Sequence, residues 1–126
     1  FAFDGADSEY LPHNYEKNCI VYTGTHDNQT TLAWYEEQGQ KAKRFIRRYL
    51  RVKRGNEVPR GMIAAAFSSA ADTAVIPIQD WLELGREARI NFPSTLGDNW
   101  KWRLTKGQLT DALAEEMREM TELYMR

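Results

Sequence analysis

The run Cys19-Ile20-Val21-Tyr22 limits the possible folds more than any other stretch of the chain. It has strand length, is rich in β-formers and lacks apolar–polar alternation, the pattern of a strand covered on both faces in a parallel sheet. It stops at Gly24, passes through the polar Thr25-His26-Asp27-Asn28, and gives way to a helical pattern of Leu32, Trp34 and Tyr35. Thr30 and Thr31 are the N-cap candidates for that helix. Ala74-Val75-Ile76-Pro77-Ile78 predicts a second strand, weakened by Pro77, which cannot donate to a ladder. Phe1-Ala2-Phe3-Asp4 reads as the end of another.

The remaining periodicity is helical. Residues 40–51 set Phe45, Ile46, Tyr49 and Leu50 on one face, and 62–67 form a small-residue helix suited to close packing. A short helix is expected at 81–85 with Gly85 as its stop. A longer one at 109–124 spaces Leu113, Met117, Met120 and Tyr124 helically, and residues 4–18 and 86–108 read as loop. Strands alternating with helices indicate parallel βα units. Two or three such units cannot close a barrel or bury both faces of a sheet. The predicted class is therefore α/β, with residues 1–126 a portion of something larger and no internal domain boundary.

Charge and cysteine content narrow the function classes. Seventeen Lys+Arg against eighteen Asp+Glu give a net charge of −1, whereas dedicated nucleic-acid binders normally carry a basic excess. The stretch Lys41–Arg54 holds eight cations and no acid; it reads as a solvated face opposite the Phe45/Ile46/Tyr49/Leu50 stripe. The acidic final helix balances it. No apolar run approaches the ~18 residues of a membrane span, so no membrane partner is expected. The single cysteine, Cys19, excludes an internal disulfide and suits a reducing, cytoplasmic location. His13, His26 and Cys19 match no zinc spacing, so neither a metal nor another cofactor is expected.

The chemistry concentrates in Gly24-Thr25-His26-Asp27-Asn28. Polar groups directly after a buried strand lie where parallel α/β folds place active sites, at the carboxyl ends of the strands. A carboxylate there, beside an imidazole, can offset positive charge or hold hydroxyls, as sugar transfer through an oxocarbenium-like transition state requires. The competing reading is that Asp27 and Asn28 simply cap the following helix. Asp4 and Asp80 are further strand-terminal acids that would share a rim with Asp27 if these are successive barrel strands, although Asp80 reads as an N-cap before it reads as catalytic. Trp34, Trp81, Trp100 and Trp102 could stack on sugar rings or serve as core.

These residues also carry a resemblance. Phe1-Ala2-Phe3-Asp4, Tyr10-Leu11-Pro12-His13-Asn14-Tyr15, Val21-Tyr22-Thr23-Gly24-Thr25-His26-Asp27-Asn28 and Thr30-Thr31-Leu32 occur in order. They are followed by Ala71-Asp72-Thr73-Ala74, Pro77-Ile78-Gln79-Asp80, Leu84-Gly85-Arg86-Glu87-Ala88-Arg89 and Asn99-Trp100-Lys101-Trp102-Arg103-Leu104. The ordered set resembles the 4-α-glucanotransferases (amylomaltase or disproportionating enzyme, glycoside hydrolase family 77). The resemblance implies the C-terminal part of a catalytic (β/α)8 TIM barrel, about two to three βα units, incomplete as a barrel on its own. It implies retaining transfer of α-1,4-glucan segments to the 4-hydroxyl of an acceptor, so the partners would be α-1,4-glucans and maltooligosaccharides. The family's nucleophile and acid/base lie upstream of these motifs, which would leave the isolated segment inactive. By resemblance Asp27 is the transition-state-stabilising carboxylate and His26 its sugar-binding neighbour; Asp4 and Asn91 contact the glucan. The chain departs from the family pattern at Gln29 (usually Asp), Ala33 (usually Gly) and Ser94, where Ile90-Asn91-Phe92-Pro93-Ser94 replaces Met-Asn-x-Pro-Gly.

Two other functions are compatible with parts of the pattern: a non-catalytic carbohydrate-binding module using the tryptophans, and a nucleic-acid binder using the basic helix. An incomplete barrel would also expose strand edges and a sheet face, which predicts self-association of the segment.

Overall fold

A computed structural model describes residues 2–126. Two short strands, β1 (Ile20–Tyr22) and β2 (Thr73–Val75), pair in parallel with Ile20 opposite Thr73, Val21 opposite Ala74 and Tyr22 opposite Val75. Three helices lie between them in the chain: α1 (Thr31–Glu37), α2 (Gln40–Leu50) and α3 (Val58–Phe67). After β2 come the one-turn α4 (Ile78–Trp81), a long loop and α5 (Asp111–Leu123). The parallel pairing expected from the unalternating apolar run is present.

Packing centres on α3. Its Val58 joins Tyr35, Ile46 and Leu50; its Ala66 joins Val21 and Ala71 beneath the sheet; its Ile63 joins Trp81 and Leu113. Ile46, Val58 and Ile63 are fully buried, each contributing about 1.5–3 kcal/mol of apolar burial. Small residues let this helix approach its neighbours closely. A Cβ on Gly61 would lie 3.0 Å from Val52 Cγ1 and 3.1 Å from Leu50 Cβ, so glycine sets the α2–α3 distance. Lys41, Arg44 and Arg48 of α2 are exposed opposite its buried Ile46 and Leu50. Lys43 instead lies over the Tyr35 ring at 5.5 Å, and Arg47 Nη1 donates to the Tyr35 hydroxyl at 2.5 Å, so the basic stretch is solvated only in part.

Several sequence expectations are corrected. Phe1 lies outside the described residues, and Ala2–Asp4 is a 3-10 turn, not a strand end. Its Phe3 ring sits 5.5 Å from Trp34 and 5.7 Å from Tyr49, so the apolar character that suggested a strand serves packing against α1 and α2. The second strand ends at Val75, before Pro77, which stands at the N-cap of α4. Proline's fixed φ and missing N–H suit a helix entry and not a ladder. The helix expected at 81–85 thus begins at Ile78, and the left-handed residue after it is Glu83 (φ 54°), with Gly85 in extended conformation. α2 ends at Arg51 (φ 60°), with Val52 N–H donating to Arg47 O at 3.0 Å, a Schellman-type closure ahead of the Gly55-Asn56 break.

Burial in the strands alternates: Val21 is buried against α3, while Ile20, Tyr22 and Val75 are about half exposed. Only one face of the sheet is covered within residues 2–126.

Asp80 is not a rim carboxylate. It lies inside α4, 2% exposed. Its Oδ1 accepts from Thr31 N at 2.8 Å, and its Oδ2 accepts from Thr31 Oγ1 at 2.8 Å and Thr23 Oγ1 at 2.5 Å. It therefore satisfies the orphan N-terminal donor of α1 and ties the end of β1 to α4. Asp80→Ala leaves three donors without their acceptor and is expected to cost about 2–4 kcal/mol, read as a lowered urea midpoint. An unchanged midpoint would remove this residue from the structural account.

A second stability prediction comes from Glu57. Its carboxylate accepts from Arg54 N at 3.0 Å and Lys53 N at 2.8 Å, and from Arg54 Nε at 2.9 Å. These bonds, the two backbone ones first, hold its pKa down to about 2 against an ordinary 4.5. Stabilisation from a depressed carboxylate is present above the unfolded pKa and is lost as pH falls through the folded one. The difference in denaturation midpoint between wild type and Glu57→Gln should hold at neutral pH and shrink as pH falls from about 4.5 toward about 2.

Candidate active site

The residues after β1 form the loop 24–30, its two flanks, Thr23 and Thr31, both held by the Asp80 carboxylate. Inside the loop, Asn28 Oδ1 accepts from Thr25 N at 2.8 Å and Thr25 Oγ1 at 3.0 Å, while Asn28 N donates to Thr25 O at 3.1 Å. Asn28 thus closes a local turn. The N-cap of α1 is Thr30, whose Oγ1 accepts from Ala33 N at 3.3 Å. Neither Asp27 nor Asn28 caps the helix, so the capping alternative for Asp27 is overturned and its carboxylate is left for other partners.

Those partners come from the long loop after α4. Asn91 Nδ2 donates to Asp27 Oδ1 at 2.6 Å, and His26 Nε2 lies 3.3 Å from the same oxygen. The side chains of His26 and Asp27 remain 55% and 50% exposed, accessible to a ligand while held by neighbours. The Trp100 ring stacks on His26, with centroids 5.2 Å apart and planes inclined by 34°. Arg89 Nη2 donates to Asp27 O at 2.8 Å, its Nε donates to Asn91 O at 2.8 Å, and its guanidinium lies 4.5 Å from the Phe92 ring centroid.

The long loop has no strand or helix over 89–110 to hold it, so side chains and isolated backbone bonds do so. Asn99 Oδ1 accepts from Phe92 N at 2.8 Å, Asn99 Nδ2 donates to Thr95 Oγ1 at 3.0 Å, and Trp100 N donates to Ile90 O at 2.6 Å. Trp100 has a φ of 62°, sparsely populated for an aromatic residue and a recurrent feature of functional sites. A groove of roughly 550 Å³ runs alongside, lined by Tyr22, Thr25, His26, Gln79 and Arg89 among others.

Three of the four sequence-predicted site residues, His26, Asp27 and Asn91, meet directly. Asp4 is exposed on the N-terminal 3-10 turn, and no hydrogen bond among the described residues links it to the other three. Trp34 packs against Phe3 and Trp81 is core, while Trp100 is the tryptophan whose ring lies against His26. Arg89 was missed as a site residue. The available signal was a cation in a loop between the apolar Ala88 and Ile90, a position that demands nearby acceptors.

The three departures noted in the sequence have local consequences. Gln29 Nε2 donates to Glu37 Oε2 at 2.5 Å, a contact in which an aspartate would repel. This bond, with the Arg86 guanidinium that pairs with the same carboxylate, lowers the Glu37 pKa. Ala33 is buried, its methyl accommodated without displacing the Thr30 cap. Ser94 has a φ of 62°, where a Cβ costs roughly 1–2 kcal/mol, offset in part by the higher unfolded-state entropy of glycine. Ser94→Gly should therefore raise the denaturation midpoint slightly, and Ser94→Val should lower it. The opposite order would mean that the turn is held by something other than backbone preference.

Comparison with known proteins gives consistent results. The family model described as 4-alpha-glucanotransferase matches residues 1–110. The chain is 46% identical over 128 residues to a 4-alpha-glucanotransferase of Clostridium butyricum, covering all of this chain and 26% of that protein. It is 44% identical over 130 residues to the chloroplastic/amyloplastic 4-alpha-glucanotransferase DPE1 of Arabidopsis thaliana, covering all of this chain and 23% of that one. Among solved structures, an amylomaltase from Streptococcus agalactiae in complex with acarbose superposes with a TM-score of 0.93 at 31% identity. That match covers 99% of this chain and 26% of the other. The chain spans about a quarter of the length of the relatives it matches.

Proposed function

The chain belongs to the 4-α-glucanotransferase family, glycoside hydrolase family 77, and from that premise we propose that it supplies one wall of the active site of such an enzyme. The reaction is transfer of an α-1,4-glucan segment to the 4-hydroxyl of an acceptor glucan or glucose, with retention. Residues 1–126 are then the C-terminal portion of a catalytic (β/α)8 barrel, and β1 and β2 are two of its strands. The alternation of burial supports this arrangement. Val21 faces the helical layer, while Ile20, Tyr22 and Val75 face what would be the barrel interior.

The observation that carries the reading is the meeting of Asp27, Asn91 and His26 at the carboxyl end of a parallel strand. Retaining transfer needs a carboxylate nucleophile and a carboxylic acid/base flanking the scissile bond; both are assigned to parts of the protein outside these residues. Asp27 does not attack the sugar. It holds ring hydroxyls of the distorted glucose and offsets charge developing at the anomeric carbon, an interaction that strengthens in the transition state. Asn91 donates to Asp27 Oδ1, leaving Oδ2 to the substrate. His26 presents an exposed ring edge to the same sugar, backed by Trp100. Asp4 is assigned an outlying glucan contact.

A bacterial member would act in the cytoplasm, whereas the plant relatives are named as chloroplastic/amyloplastic. Among the described residues no helix is long and apolar enough to cross a membrane.

The test is disproportionation of maltotriose by the full-length protein. Glucose and longer maltodextrins should both accumulate. Retention on amylose without turnover would instead favour a binding module. Asp27→Asn should lower turnover by roughly 10²-fold or more, the scale of losing one preorganised electrostatic group. Near-normal turnover in that variant would end the assignment.

A further inference from the structure

Asp27 and Asn91 are separated by 64 positions in sequence, yet one guanidinium grips the backbone of both. Arg89 Nη2 donates to the carbonyl of Asp27 and its Nε to the carbonyl of Asn91, each at 2.8 Å. The side chains of those same two residues meet at 2.6 Å. Four groups thus close a ring: a main-chain carbonyl and a carboxylate from Asp27, a main-chain carbonyl and an amide from Asn91. The Phe92 ring, 4.5 Å from the guanidinium carbon, covers one face of the fork and limits its rotation.

We propose that Arg89 is a positioning residue for transglycosylation: it sets the aim of the Asp27 carboxylate by clamping the backbones of Asp27 and Asn91 together. The proposal rests on the role assigned to Asp27 above. Its physical basis is that neither backbone has a regular element to hold it. Asp27 sits in the loop between β1 and α1, and Asn91 in the long loop after α4. Without the clamp, the Asn91–Asp27 bond and the Trp100–His26 ring contact would be left to hold the two loops in register. A displacement of about 1 Å at a reacting centre is enough to cost 10²-fold in rate. Only arginine provides two parallel donors in a rigid plane that also stacks on an aromatic face; lysine keeps the charge but not the fork.

Three readouts in the full-length enzyme separate this role from a purely structural one. With maltotriose as substrate, Arg89→Lys should lower kcat by roughly 10–10²-fold with a much smaller change in KM, at a melting temperature close to that of wild type. In Arg89→Ala, added methylguanidinium should recover part of the lost kcat, whereas methylammonium should not. In an Asp27→Asn background, Arg89→Lys should cost little more, because the group it aims has already been disabled. Wild-type kcat in Arg89→Lys, or losses that multiply independently in the double variant, would overturn the proposal.

A fourth measurement does not depend on turnover. By hydrogen–deuterium exchange, Arg89→Ala should increase exchange in both 24–29 and 90–100 while α2 and α3 stay as protected as in wild type. If exchange increases at both loops but the wild-type protein shows no glucan transfer, the clamp stands and the functional reading falls. If the 24–29 loop stays as protected as before, the clamp falls whatever the activity.

Discussion

The candidate site depends on a buried carboxylate that lies outside the His26–Asp27–Asn91 cluster. Asp80 accepts from Thr23 on one side of the loop and from Thr31 on the other. Loop 24–30 is therefore a closed span with both ends pinned to the same atom pair. At 2% exposure the carboxylate is costly to bury unless satisfied, and three donors satisfy it. The same bonds fill the N-terminal donor of α1, which Thr30 alone would leave partly open. The docking of α1 on α4 and the placement of the His26–Asp27 loop consequently share one carboxylate. This is why a helix of residues 31–37, short for autonomous stability, can carry one wall of a site.

The opposite wall is built differently. Residues 89–110 have no ladder or helix to absorb their backbone donors and acceptors, and each such group must still find a partner. Asn99, Thr95, Arg89 and the Trp100 amide supply them locally. Local side-chain bonding fixes a loop less rigidly than secondary structure. The point where the loop touches the pinned 24–30 span is thus where precision has to be added, and there a guanidinium, an amide and two aromatic rings accumulate. The left-handed Trp100 lies in the same place, its ring against His26. Sites of this kind concentrate strain where the surroundings over-determine a conformation.

How far the site can be read from sequence follows from the range of the interactions. Local rules suffice for β1, for the Thr30 cap and for α2 and α5, because their patterns repeat within a turn or two. They also locate the polar loop after a buried strand. They fail at 74–85, where an apolar run containing Pro77 fits either a strand or a helix entry. The helix entry that Pro77 favours is joined by a contact no local pattern shows, Asp80 accepting from Thr31 49 positions away. They fail at Phe3 for the same reason: its aromatic partners Trp34 and Tyr49 are distant in sequence. Asn91 entered the site only through family resemblance, since no local pattern tells an asparagine in a loop that it will meet Asp27. Arg89 stood one step further away, because it acts through main-chain carbonyls that leave no trace in residue type.

The strand that most constrains the fold also shows what the fold requires. Cys19–Tyr22 has the composition of a strand covered on both sides, yet only the Val21 side is covered among the described residues, by Ala66 and Ala71. Ile20, Tyr22 and Val75 share the other face, and Tyr22 also lines the groove beside His26. Whatever covers that face therefore shapes the groove as well, because one tyrosine belongs to both. Burying the half-exposed side chains there would contribute about 25 cal/mol per Å² of apolar surface, and it would exclude water from the groove beside His26. Electrostatic stabilisation by a carboxylate grows as the surrounding dielectric falls. Under the role proposed for Asp27, completing the core and strengthening its carboxylate are thus the same physical step, and the apolar composition of the strand becomes a condition for the chemistry at its end.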